Sequence, residues 1–430
     1  MGIIKVNKFY IYLAVITGLI FLGTVQPVFS MIAFVVSLYF LVTEDRFEQI
    51  LFLFFIMPTA SIFKLSPSTT SFFTLLEIMF CIMYVIKNKF CIKEKQLIIL
   101  LFGGFLAIIQ LLNGDINIVS TIKLVTGIFI LSIVTHYDIE KEHCRLFLVY
   151  IYGILISSIL SFLNYTYNFL PLSNYVVFKD QKLGEDFITR FSGLAPDPNY
   201  YTVNIIISLC LICILFYKKE ISIKCCTFLS VQLILFAAIT LSKSALLMLV
   251  FPVFLFIKLC LDNKSWKSLS AIIIAILFFL YLVLSNHLNI FDNTLARLNN
   301  GLDFNVLTTG RGAIWCNYIE HMQEDFFHLI IGKGIFNVML DGKVAHNTYI
   351  DILYQLGVIG TIFYSWIMYK IFTTNVKIKR NLLNYSIIIT IIIMYMFLSE
   401  LHFYDSIFHI ILAYYALHLN FINNNWKEAV

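Results

Sequence analysis

The sequence predicts an all-α fold: a polytopic helical integral membrane protein of about fourteen transmembrane helices (twelve to fourteen), with two longer outward-facing loops. Three observations carry that prediction. The first is composition: 60% of the residues are hydrophobic and only 13% charged, with a mean hydropathy of +0.88, whereas a soluble domain carries about 25% charged residues. The second is length, because apolar runs long enough to cross a bilayer recur along the whole chain. The third is texture. Ile387 to Ile393 reads Ile-Ile-Ile-Thr-Ile-Ile-Ile, without the alternation that a membrane β-barrel requires.

Taken in order, the runs lie near residues 9–27, 28–42, 50–64, 70–86, 96–113 and 118–137. Others follow near 146–170, 200–217, 227–242, 243–261, 269–286, 348–374, 385–401 and 408–422. The first run follows Lys5 and Lys8, like the charged start of a signal peptide. No small-x-small cleavage site follows, and a second run begins at Val28, so the first is expected to be a retained span. Residues 1–430 then form a single integral membrane domain.

Orientation follows from the basic residues in short loops. Lys5, Lys8, Arg46, Lys87, Lys89, Lys93 and Lys95 fall on one side, as do Lys141, Arg145, Lys218, Lys219 and Lys224. Lys264, Lys267, Lys377, Lys379, Arg380 and Lys427 continue the pattern, while loops 24–27, 65–69, 113–117 and 402–407 carry almost none. Both termini are therefore expected in the cytoplasm, and the loops at about 171–199 and 287–347 outside. Cytosolic nucleotides and nucleotide sugars are then out of reach, and no phosphate-cradling glycine loop occurs. Only Cys316 lies in an outer loop, without an outer partner for a disulfide, and Cys210-x-x-Cys213 sits mid-span as packing rather than a zinc pair.

The polar residues that could carry chemistry gather in the outer loops. From Arg311, the apolar residues Ile314, Trp315, Tyr318, Ile319 and Met322 recur at helical spacing, which predicts an amphipathic interfacial helix. Arg311 projects from its start, where a guanidinium either pairs bidentately with a bound phosphate or snorkels to bulk lipid headgroups. His346 and Asn347 stand where the chain re-enters the membrane. Asn347 is suited to cap the following helix, Asp351 lies one turn below it, and Gly357 and Gly360 suggest close helix packing. As a catalyst, His346 would take a proton from a sugar hydroxyl.

The first outer loop ends at Arg190, followed by a rigid turn through Gly193, Pro196, Asp197, Pro198 and Asn199. Lys243 falls in the tight break between two runs, where an intramembrane charge is functional by default. Lys123, Glu77, Asp351 and Glu400 read as internal ion pairs that lock helices together. Glu320, His321, Glu324 and His328 read as a solvated helix face rather than a metal site.

These residues resemble a known pattern. Gly310-Arg311-Gly312-x-x-Trp315, Gly332-x-Gly334, and His346-Asn347 followed by Gly357-x-x-Gly360 are similar to the outer-loop motifs of the O-antigen polymerase and O-antigen ligase superfamily. Arg190-x-x-Gly193 with Asp197-Pro198-Asn199 matches that family's first outer-loop motif. Ser242-Lys243-Ser244 matches its membrane-edge motif, with lysine where many members have arginine. The motifs span residues 190–360; outside them the resemblance is one of hydropathy alone.

The resemblance implies glycosyl transfer on the outer face of a bacterial cytoplasmic (inner) membrane. Donor and acceptor would be glycans linked to undecaprenyl diphosphate, and surrounding lipid the other partner. It leaves room for a chain-length regulator protein and implies no nucleic acid, metal or cofactor. Catalysis would fall to His346, Arg311 and Arg190, and substrate binding to Lys243, Asn347, Asp197, Asn199, Trp315 and Tyr349. The run count and the lysine at 243 favour a polymerase of O-antigen or capsule type. The alternatives are an O-antigen ligase acting on lipid A-core and, less favoured, a flippase or exporter, for which internal repeats are expected and none is evident.

Overall fold

The computed structural model describes residues 8–89, 92–114, 118–175, 180–183, 186–189, 191–240, 243–262, 264–284, 311–335, 339–340, 343–373, 382–398 and 404–419. Among these the protein is all-α apart from two short hairpins. Each apolar run of the sequence coincides with a helix. They are α1 (Lys8–Gly23), α2 (Pro27–Thr43), α3 (Arg46–Ile56), α4 (Phe72–Lys87), α5 (Glu94–Asn113), α6 (Ile118–Val134), α7 (Ile139–Tyr167) and α8 (Pro198–Tyr217). Then come α9 (Ile223–Ile239), α10 (Lys243–Asp262) and α11 (Trp266–Leu284), and after the second long loop α14 (Thr348–Phe372), α15 (Leu382–Tyr395) and α16 (Tyr404–His418). Inside that loop lie α12 (Arg311–Glu324), of mixed polarity, and the short, mostly apolar α13 (Phe326–Ile331). Among the described residues, four helices are long and apolar enough to cross a membrane: α5, α7, α8 and α14.

Helix ends follow local chemistry. Pro27 opens α2 and Pro198 opens α8, at the position where a missing N–H costs nothing. Asp45, Ser71, Asp138 and Asp197 cap α3, α4, α7 and α8 by accepting main-chain N–H bonds. Gly114 closes α5 in the left-handed conformation at φ 74°. The run expected near 50–64 is helical only to Ile56. It tightens into a 3-10 turn at Met57–Thr59, because Pro58 cannot donate to the α-helical ladder. The loop between α7 and α8 carries an antiparallel hairpin, β1 (Asp180–Leu183) with β2 (Asp186–Thr189), Asp180 facing Thr189. A smaller one, β3 (Met339–Leu340) with β4 (Lys343–Val344), precedes α14. The apolar-run reading contained neither.

α8 is the central helix, with 89% of its apolar stretch buried, packed by α7, α9, α10 and α15. α16 fills the space between α6, α7, α8 and α15. In the core, Tyr150 and His409 both direct hydrogens to Asn204 Oδ1, each at 2.8 Å, so α7, α8 and α16 are keyed by a polar contact inside an apolar interior. The periphery is apolar as well: Val35, Leu101, Val250, Ile274 and Ile362 are each at least 60% exposed. An outward apolar surface of that kind needs lipid or another protein against it.

The two ends of the bundle differ. At one end α3, α4, α7 and α8 are tied by charge: Arg46 to Asn88 at 2.8 Å, Arg145 to Glu48, and Lys218 to Glu140 at 2.8 Å. Arg46, Arg145 and Lys218, three of the basic residues that the alternation rule put on one side, share this end, whereas Lys5, Lys377, Lys379, Arg380 and Lys427 lie outside the described residues. The other end gathers Asn113 of α5, Asp197 of α8, the start of α14 and the end of α15, and carries α12 and α13.

Candidate functional site

α14 begins from an unusual stretch of backbone. His346 has φ of +50°, a left-handed conformation that a non-glycine residue holds only under constraint. The constraint comes from both sides. Before it, the Ala345 carbonyl accepts from Trp315 Nε1 at 2.8 Å. After it, Asn347 caps α14, its Oδ1 accepting from the Tyr349 and Ile350 amides at 3.0 and 3.2 Å. Thr348 then donates its hydroxyl to Leu398 O at 2.5 Å, and Tyr349 donates to Ile392 O at 2.9 Å, fastening α14 to the end of α15.

α12 grips this stretch with a stripe at helical spacing. Arg311 Nη1 donates to Phe397 O at 3.0 Å, Trp315 holds Ala345, and Tyr318 donates to Lys343 O at 2.8 Å while accepting from the Leu340 amide at 3.1 Å. Tyr318 is fully buried, and burial, helped by the charge of the buried Asp351, pushes its phenol up to about 12. Tyr318 and Met322 pack with Ala345 and Tyr354. The apolar face of the amphipathic helix is thus covered there by the chain itself, while Ile319 stays exposed.

Arg311 brings the two long loops together. Burial lowers its pKa, and the carboxylate of Asp197 opposes that shift; a guanidinium keeps its charge in such surroundings. Asp197 is the cap of α8, accepting from the Asn199 amide at 2.8 Å, and Asn199 is partly buried beside it. Arg311 reaches Phe397 O and Thr348, at the start of α14, reaches the carbonyl of the next residue, Leu398, so the start of α14 lies near the guanidinium. Helix N-termini carry partial positive charge.

The glycines have a definite task here. The Cβ of any residue at Gly357 would lie 2.4 Å from Gly332 N and Ile330 O, and Gly357 has φ of +64°, breaking α14. Freed by the break, the carbonyls of Tyr354 and Gln355 accept from the Lys333 and Gly334 amides, each at 3.0 Å. Gly332-Lys333-Gly334 therefore docks as a strap into the α14 break. The close-packing reading holds for Gly360, which sits against Phe105, but Gly357 serves a backbone-to-backbone junction instead.

A cavity of about 620 Å³ opens beneath this end, between α14, α15 and α16. Thr348, Tyr349 and Tyr395 line it near the site, and Met368, Tyr369 and Phe372 line its far part. Its walls are almost wholly apolar.

Of the residues singled out from sequence, Arg311, Asp197, Asn199, Trp315, His346, Asn347 and Tyr349 lie on the elements that meet at this end. Asp197 and Asn347 are occupied there as helix caps. Arg190 lies outside the described residues, as do Thr309 and Gly310; Lys243 opens α10, with its side chain outside the described atoms. His328 is engaged with Asp325 and Asn113, and the His321 ring packs against Tyr354. Sequence reading named Tyr318 only as part of the apolar face of α12 and gave no role to Thr348 or to the Asp325–Lys333 pair; Asp325, three residues before His328, carried a signal, as a helix cap. Comparison with known proteins finds no family model, curated protein or solved structure that matches the chain.

Proposed function

We propose that the protein is a membrane glycosyltransferase of polymerase type, joining polyprenyl-diphosphate-linked oligosaccharide units on the outer face of a bacterial cytoplasmic membrane. The fourteen apolar helices are its spans, both termini are cytoplasmic, and the end bearing α12 and α13 faces outward. One observation supports the reading: Arg311, partly buried, donates to Phe397 O, and the next carbonyl, of Leu398, accepts from Thr348, which lines the apolar cavity. A fixed cation near an apolar cavity suits a ligand with an anionic head and a hydrocarbon tail.

In the proposed reaction an acceptor hydroxyl oxygen attacks the anomeric carbon of the donor sugar. The bond from that carbon to the diphosphate oxygen breaks, and the lipid diphosphate leaves with the electron pair. His346, held by Trp315 and Asn347 on either side, takes the hydroxyl proton. Arg311 and the two helix ends neutralise the charge that develops on the leaving group.

Deleting the gene and resolving the host's surface glycan by gel, beside its lipid-linked intermediates, tests this reading. The expected result is loss of the ladder, with a single repeat unit remaining. A ladder that persists only on the lipid carrier would make the protein a ligase. Unpolymerised units trapped on the cytoplasmic face would make it a flippase and remove the outer end as a site of chemistry.

A further inference from the structure

A second polar cluster joins α5 to α13. Asn113, the last residue of α5, donates through Nδ2 to the carbonyls of Ile109 at 2.9 Å and Gly332 at 3.2 Å. With both amide hydrogens so directed, its Oδ1 is left to accept, and it lies 2.7 Å from His328 Nε2. That pairing assigns the hydrogen to Nε2. On the other edge of the ring, Nδ1 lies 2.5 Å from Asp325 Oδ2 and 2.9 Å from Lys333 Nζ. Lys333 also donates to the same carboxylate oxygen at 2.6 Å, which with His328 holds the Asp325 carboxyl below the usual carboxylate range.

The ring therefore bridges a transmembrane helix and an ion pair of the outer loop. Asp325 is the hinge between α12 and α13: its amide donates to His321 O, continuing the α12 ladder, and its side chain caps α13. Lys333 is the middle residue of the strap docked in the α14 break. α13 has six residues, far too few to hold its own geometry. Its orientation must come from contacts such as these.

We propose that His328 is a positioning residue: by bridging Asn113 to the Asp325–Lys333 pair it sets the frame of α12, and hence where Arg311 and Trp315 stand over α14 and α15. The importance of that placement rests on the function proposed above; the bridge itself does not. Loss of the ring cuts the link from α5 to Asp325 and leaves α12 held by its own stripe and by the Asp325–Lys333 pair.

The test measures position, not activity. In full-length protein in lipid nanodiscs, with the other cysteines replaced, one spin label goes on Cys316, exposed on α12. The second goes on Met396→Cys, 45% exposed just past the end of α15. The native protein is expected to give one narrow distance distribution, and His328→Ala and Asn113→Ala each to widen it about twofold by local loosening. The double variant is expected to add nothing to the width of Asn113→Ala alone, because that change cuts the bridge along with the bond to Gly332 O. Unchanged widths with a lowered melting temperature would overturn the proposal, since the bridge would then add stability without setting position. Should His328→Ala fail to fold, Asn113→Ala decides alone, because it spares the Asp325–His328–Lys333 contacts. If the widths change as expected while Arg311→Ala leaves the glycan untouched, the glycosyltransferase reading fails and the positioning role stands.

Discussion

Arg311 shows how one residue type can satisfy several demands at once. Its guanidinium spends one N–H on Phe397 O and lies close enough to Asp197 to feel its charge, which fixes its plane and leaves further donors for a ligand. Lysine would keep the charge but lose the planar fork that meets two phosphate oxygens together. Arg311→Lys is therefore expected to lower turnover by at least about a hundredfold, the scale for losing one fixed donor to a developing anion. Turnover by purified protein on a lipid-linked donor is the check, and near-native activity would remove Arg311 from the chemistry. Gly357 supplies a purely structural case. An alanine there meets main-chain atoms at 2.4 Å and adds about 1–3 kcal/mol of strain from a backbone region that only glycine readily adopts. Gly357→Ala is expected to lower the melting temperature clearly. Gly18→Ala, whose Cβ would meet nothing within 4 Å, is expected to leave it near the native value.

Among the elements, α12 and the start of α14 act as a clamp around His346. Trp315 and Asn347 hold its two neighbours, so the left-handed backbone persists without a glycine. Removing the Asn347 cap should cost about 1 kcal/mol. Asn347→Ala is expected to show that loss in thermal unfolding, while Asn347→Asp, which keeps an oxygen for the same two amides, recovers it. Failure of the aspartate to recover stability would mean that Asn347 matters for more than capping. Trp315→Phe keeps the ring but loses the bond to Ala345, and about 1 kcal/mol with it. Because that loss falls beside His346, hydrogen exchange of the amides at 345–347 is expected to quicken, whereas α5 exchange is unchanged.

For the molecule as a whole, the division into two ends makes orientation testable. The end with Arg46, Arg145 and Lys218 also holds Cys144 and Cys225, whereas the exposed Cys316 sits on α12 at the other. A membrane-impermeant maleimide applied to intact cells with a permeabilised outer envelope is expected to label Cys316. Cys144 and Cys225 should react only after the inner membrane is opened. The reverse pattern would invert the topology and place Arg311 in the cytosol.

What the sequence by itself determined is the apolar frame. Hydropathy and the spacing of Lys and Arg act locally and add along the chain, so helix positions and the sharing of one end by Arg46, Arg145 and Lys218 were both legible. Asn347 as a cap, and α12 from Arg311, were legible for the same reason. Tertiary structure alone decided that Arg311 answers to Phe397 and Asp197, that the Gly332–Gly334 strap fills the break at Gly357, and that His328 bridges to Asn113. Each of these pairs residues far apart in the chain, and a hydrogen bond of that kind leaves no periodic trace in the segments it joins. The hairpins and the early end of α3 at Ile56 escaped on a different ground: an average over apolar residues is blind to a reversal of the backbone or to one missing N–H.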